Sequence, residues 1–221
     1  MKAWRRGRKD GEVVAKSSSQ NPGTIIILNG APRAGKSSIA RAIANMFDGV
    51  WLNLGVDSWA QATPPHLLPG IGLRPGGERP DLEPQVRSLF AALYEAIAAS
   101  ARTGANVVVD VGHHDAYSKP LGILGDCARR LNGLPAILVG VLCPLDVIMA
   151  RRNADSRDGF YEAGEMVPAP VALWQVEVHR PGIYDLEVDT SILSPDDCAT
   201  AIRNYLAGPE KPGAVERLAR L

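Results

Sequence analysis

Very little in this chain points to a partner or a compartment. Lys plus Arg and Asp plus Glu both total 24 in 221 residues, so no net charge of either sign draws it to nucleic acid or to an anionic membrane surface. Cysteine is scarce. The three, Cys127, Cys143 and Cys198, are far apart and odd in number, which fits buried thiols in a reducing cytoplasm and not a disulfide framework. No apolar run approaches the roughly 20 residues of a membrane span, and the first residues lack the apolar core of a secretion signal. Aromatic residues make up only 5%, yet 46% of the chain is hydrophobic, enough for one sizeable core. The expectation is a cytoplasmic single domain without nucleic-acid or membrane partners.

What is present is an alternation. Short apolar runs at Thr24 to Leu28, Trp51 to Leu54, Asn106 to Val111, Ala136 to Leu142 and Tyr184 to Val188 read as strands that are apolar on both faces. Helical patterns separate them. Glu83 to Thr103 places Val86, Leu89, Phe90, Leu93, Ile97 and Ala101 at spacings of three and four and stops at Gly104. Ser194, followed by Pro195, Asp196 and Asp197, supplies an N-cap and a favourable first turn for a helix from Cys198 to Leu206. Strands buried on both faces and linked by helices predict an α/β fold with a five-stranded parallel sheet in three layers. Residues 1–23, with Arg5, Arg6, Arg8 and Lys9, read as a flexible basic tail. Residues 24–208 read as the domain, and 209–221 as a weakly helical polar C-terminal tail. Six prolines between Pro64 and Pro84 mark a long irregular excursion of the kind that is functional or disordered.

Gly30-Ala31-Pro32-Arg33-Ala34-Gly35-Lys36-Ser37 fits the phosphate-binding pattern G-x-x-x-x-G-K-[ST], between a strand and a helix that opens at Ser38. The glycines let backbone N–H groups turn inward around phosphate oxygens, Lys36 adds a point charge, and Ser37 can ligate magnesium at the helix N-terminus. Asn106 to Asp110 runs from hydrophobic residues into an acid at a strand end, so Asp110 is the second candidate magnesium ligand. ATP and Mg2+ are therefore the expected cofactors. The chain has no Asn-Lys dipeptide for reading guanine and no L-S-G-G-Q of a transporter ATPase. Asp57, in Gly55-Val56-Asp57-Ser58 beyond the second strand, sits where an acceptor hydroxyl would approach the γ-phosphate, at the carboxyl end of a parallel sheet. It reads either as a base or as the cap of a helix near Ser58.

Ile26 to Gly30, Ala34 to Ser37, Trp51-Leu52, Gly55 to Ser58 and Tyr184 to Thr190 together resemble the chloramphenicol phosphotransferase family over roughly residues 24 to 207. The resemblance implies a nucleoside-kinase-like P-loop fold and ATP-dependent phosphorylation of a primary hydroxyl on the antibiotic. It implies Asp57 as catalytic base, Lys36 and Ser37 on phosphate and magnesium, and Arg151 with Arg157 in a lid over the phosphates. Arg151, Arg152 and Arg157 read otherwise as a solvated helix face. Gly112-His113-His114-Asp115 and the proline-rich excursion depart from the family pattern, and both should border the acceptor pocket. His113 and His114 are candidate acceptor contacts, with metal binding or ordinary loop hydrogen bonding as the other readings. Ser58 and Trp59 are placed at the acceptor, Trp51 in the core, and Thr190 with Ser191 at the adenine. The expected function is in-line phosphoryl transfer to a small-molecule hydroxyl. The alternatives are a kinase for another metabolite or nucleotide sugar, and a nucleotide-dependent switch or chaperone without an acceptor.

Overall fold

A computed structural model describes residues 21–154, 164 and 166–221. Five strands, β1 (Ile25–Asn29), β2 (Trp51–Asn53), β3 (Asn106–Val111), β4 (Ala136–Leu142) and β5 (Leu186–Asp189), form one sheet in the order β2-β3-β1-β4-β5. Every pairing is parallel.

The apolar runs are explained by what covers each face. Along β1, Ile25 and Ile27 pack into one core with Val107, Val109 and Val111 of β3, under α3 (Glu83–Arg102), α4 (Ile123–Arg130) and α8 (Ala214–Leu218). Ile26 and Leu28 pack into the other with Val108 and Val139, under α1 (Lys36–Met46) and α7 (Pro195–Ala207). Each large aliphatic side chain fully buried in this way contributes about 1.5–3 kcal/mol, so neither face tolerates a polar residue without a partner. The cysteines are all free and buried.

The helix ends follow from their residues. α3 stops at Gly104, whose φ of 89° suits glycine. At α7 the Ser194 hydroxyl accepts from Asp197 N–H at 3.1 Å while the Asp197 carboxylate accepts from Ser194 N–H at 3.3 Å, a reciprocal capping box.

Two segments differ from the sequence reading. The proline-rich excursion is packed, with short turns at Pro65–Leu67 and Gly70–Gly72 and with Ile71, Leu73 and Leu82 in the core. Residues 209–221 include α8, which buries Ala214, Val215 and Leu218 against α4 and β4. The helical tendency was legible there, but three apolar residues in a five-residue helix were too few to announce its burial.

Candidate active site

The carboxyl ends of the strands converge on a cleft of about 730 Å3. Its floor is the P-loop. Gly30 is required there because a Cβ at that position would stand 2.5 Å from the Val141 carbonyl oxygen, and Gly35 has a φ of 92°. Lys36 folds over the loop, donating to the carbonyl oxygens of Gly30 and Ala31, both at 2.8 Å. Burial pulls its pKa down to about 8 against the opposing pull of the Asp110 and Asp57 carboxylates. An ammonium so poised is short of counter-charge, and phosphate oxygens would supply it.

Strand alternation aims the second acid. Asp110 shares a face of β3 with Val108, the face that α1 covers, so its buried carboxylate meets the first turn of α1 and accepts from Ser37 Oγ at 2.7 Å. A hydroxyl and a carboxylate joined at a helix N-terminus, beside a phosphate-binding loop, fit a magnesium ion that arrives with a nucleotide. Among the described residues no group of three or more His, Cys, Asp or Glu side chains is arranged to hold a metal alone. The remaining ligands would be phosphate oxygens and water.

Asp57 lines the same cleft and is exposed to it. It is the second residue of α2 (Val56–Ala62), whose N-cap is Gly55, and it makes no capping hydrogen bond. The cap reading therefore fails, since the helix starts one residue before Asp57 and not after it.

The other expected positions separate. Pro32, Arg33, Ser38 and Thr190 line the cleft, whereas Ala31 and Ala34 turn into the core. Thr190 Oγ1 donates to Ala34 O at 2.8 Å and accepts from Arg151 Nη1 at 3.1 Å. Arg151, on α5 (Leu145–Ala154), also reaches Arg33 O at 3.2 Å and Thr190 O at 2.6 Å. Its guanidinium thus braces the P-loop from the side while lining the cleft. Arg157 lies outside the described residues. Ser58 donates to Asn53 O at 3.4 Å, and Trp59 packs against the α3 core, so neither lines the cleft.

Both histidines leave the site. His113 is 2% exposed, stacks on Phe90 with ring centroids 4.5 Å apart and bonds Tyr94 Oη through Nε2 at 2.7 Å. Burial lowers its pKa to about 3, so it stays neutral. His114 is 6% exposed and donates through Nε2 to Leu73 O at 2.8 Å, with its pKa also lowered by burial. The expectation that they contact the acceptor is corrected on this geometry: two residues beyond Val111, His113 remains on the α3 face of the sheet.

Sequence reasoning placed the proline-rich excursion and the Gly112 segment beside the acceptor and missed the other residues that complete the wall. Val56, Ile71, Gly72, Val111, Gly112 and Trp174 form its apolar part. Ile71 and Gly72 come from the proline-rich excursion, whose length was the signal. Trp174, on α6 (Ala169–Glu177), carried none.

A five-stranded parallel sheet with a P-loop after its central strand is the P-loop kinase fold. Solved structures agree: an APS kinase of Mycobacterium tuberculosis in complex with AMPPNP and APS superposes with a TM-score of 0.60 at 17% identity, covering 85% of this chain and 99% of that one. Shikimate kinase from Acinetobacter baumannii superposes with a TM-score of 0.56 at 15% identity, over 85% and 94%. The family follows from sequence. The family described as "Chloramphenicol phosphotransferase-like protein" matches residues 23–207, and the chain belongs to it. A Mycobacterium tuberculosis protein named "Putative O-phosphotransferase" is 26% identical over 227 residues, covering 96% of this chain and 95% of that one. The chain is accordingly an O-phosphotransferase acting on a hydroxyl.

Proposed function

We propose that the protein transfers the γ-phosphoryl group of ATP to the primary hydroxyl of a chloramphenicol-like alcohol. The observation that carries this reading is the division of one cleft. Its cationic lining, Lys36, Arg33 and Arg151 among the described residues, belongs to the P-loop or is bonded to it, while the opposite wall is apolar apart from Asp57. Among the described residues, a carboxylate, sulfate or phosphate on the acceptor would find no counter-charge on that wall. A neutral alcohol with an apolar body suits it.

In this mechanism the P-loop N–H groups and Lys36 hold the phosphates and stabilise charge on the transferring group. Ser37 and Asp110 would hold magnesium, which when bound neutralises phosphate charge. Asp57 orients the acceptor hydroxyl and takes its proton as the new O–P bond forms and the bond to the β-phosphate oxygen breaks, with ADP leaving. Arg151 and Thr190 keep the loop in shape beside the nucleotide. Positioning and electrostatics supply most of the acceleration.

Mass spectrometry of chloramphenicol incubated with protein, ATP and magnesium tests the reading. One added phosphoryl group is expected, and the 3-acetyl ester, with that oxygen blocked, should be inert. No product from a folded, ATP-binding protein would overturn the antibiotic acceptor.

A further inference from the structure

Trp174 is 9% exposed, and its indole Nε1 is buried without a hydrogen-bond partner. That is costly, because a buried indole N–H ordinarily finds an acceptor, and one left unmet loses its hydration without a hydrogen bond in return. The location narrows the explanation. Trp174 lines the cleft with Asp57, and its Nε1 stands over Gly112, 3.2 Å from where a Cβ on that glycine would lie. The same point is 3.3 Å from the Gly30 carbonyl oxygen, at the start of the P-loop. The stranded donor thus sits where the end of β3 meets the phosphate floor. The ring is held from behind by His114, edge-on with centroids 5.7 Å apart, and His114 is fixed in turn by its bond to Leu73 O beyond the wall residues Ile71 and Gly72.

We infer that the Trp174 indole N–H is a specificity-determining donor, which binds an oxygen of the acceptor close to the hydroxyl that is phosphorylated. This rests on the neutral-alcohol reading above and narrows it: the acceptor carries a second oxygen, a hydroxyl or a carbonyl, a few bonds from the reacting one. An alcohol with hydrocarbon at that place leaves the donor unmet and binds more weakly. In the empty cleft the N–H is closed off from solvent against Gly112, so the oxygen meets it as the ring lifts off that glycine. A methyl group on Gly112 would stand between the N–H and the incoming oxygen.

Trp174→Phe removes the N–H and keeps an aromatic ring. With chloramphenicol as probe, the variant should raise the acceptor KM about fivefold to tenfold while the KM for ATP stays within about twofold. Deleting an unpartnered donor offsets part of the cavity that the smaller ring leaves, so its melting temperature should fall by no more than a few degrees. Gly112→Ala should raise the acceptor KM in the same direction, and the double variant should be no worse than the weaker-binding single. An unchanged acceptor KM in Trp174→Phe, or fully additive effects in the double variant, would overturn the inference. So would an indole N–H resonance at the hydrogen-bonded position in the NMR spectrum of the empty protein, which would mean that the N–H is bonded within the protein. If the wild-type protein does not phosphorylate chloramphenicol, the antibiotic reading falls. The indole resonance needs no acceptor and then decides the status of the N–H by itself.

Discussion

Gly55 and the Asp110 carboxylate compete for one volume: a Cβ on Gly55 would lie 1.4 Å from Asp110 Oδ1. The backbone at Gly55 is ordinary, with φ −70° and ψ −178°, so glycine is needed there for space and not for conformational freedom. The strand end that carries the candidate magnesium ligand and the turn that launches Asp57 are therefore built against each other. Gly55→Ala should push the Asp110 carboxylate off Ser37 Oγ and raise the magnesium concentration for half-maximal rate about tenfold, with kcat/KM for ATP falling by a similar factor. Asp110→Asn should mask the effect of a second substitution at Gly55. A magnesium titration of Gly55→Ala that overlays wild type would show that Asp110 plays no part in metal binding.

Lys36 makes a pH prediction. Folding lowers its pKa from 10.5 to about 8, chiefly by burial. Between these values the unfolded chain holds a proton that the native protein has released, so this residue's contribution makes the protein more stable as pH rises from about 8 to 10.5. Nucleotide binding runs the other way. The protonated ammonium binds phosphate, so affinity for ATP should fall as pH rises through about 8, and the inflection in kcat at saturating ATP should lie higher because bound phosphates favour the proton. Lys36→Ala should abolish transfer and remove the affinity inflection, as calorimetry across pH would read. An inflection that survives in the variant would belong to another group.

Asn29 closes β1 immediately before the P-loop and is 2% exposed. Its Oδ1 accepts from His113 N–H at 2.8 Å, and its Nδ2 donates to Val178 O at 2.8 Å and to Tyr184 Oη at 3.0 Å. One amide thus ties the P-loop strand to the end of β3 and to the end of the helix that bears Trp174. Asn29→Ala strands a buried N–H and a buried carbonyl, which should cost about 3 kcal/mol. For a domain of this size the melting temperature should fall roughly 6–12 °C. A drop of about 1 °C in calorimetry would mean that water replaces the amide.

The sheet and the phosphate floor were legible because each rests on a local pattern. Ile25 to Leu28 is apolar at every position, which only a strand covered on both faces requires, and the P-loop is eight consecutive residues whose chemistry is fixed by spacing. Asp110 was legible from its place at a strand end. Strand alternation also fixes its direction: it shares the α1 face with Val108, while Val111 and then His113 share the α3 face. Followed past the strand end, the same parity would have sent His113 into the core with Phe90 and Tyr94. Asp57 was misread as a possible cap because Gly55, which caps α2 without a side chain, gives no polar signal. Arg151 could be placed near the phosphates but not given its duty, since its partners Arg33 O and Thr190 lie 118 and 39 residues away in the chain. Trp174 was invisible for the same reason, being joined to Gly112 and His114 only by the closure of the fold.

Asp57 provides the most discriminating experiment. It sits inside the first turn of α2, exposed to the cleft and without a capping bond, so Asp57→Asn removes a charge and leaves the helix start to Gly55. Stability should scarcely change, apart from a small loss of interaction with the helix dipole. A positioned base contributes about a hundredfold to ten-thousandfold, so kcat should fall by that order while affinity for ATP and melting temperature stay near wild type. A change carried wholly by the acceptor KM would mean that Asp57 binds the alcohol equally in ground and transition states and moves no proton. Wild-type kcat in the folded variant would end the base assignment. With the histidines buried away from the cleft, Asp110 is then the one acid left in its lining among the described residues. Asp110 is bonded to Ser37, so using it as base would break the link that the phosphate site is built on. The geometry therefore expects the loss at Asp57 to appear in kcat.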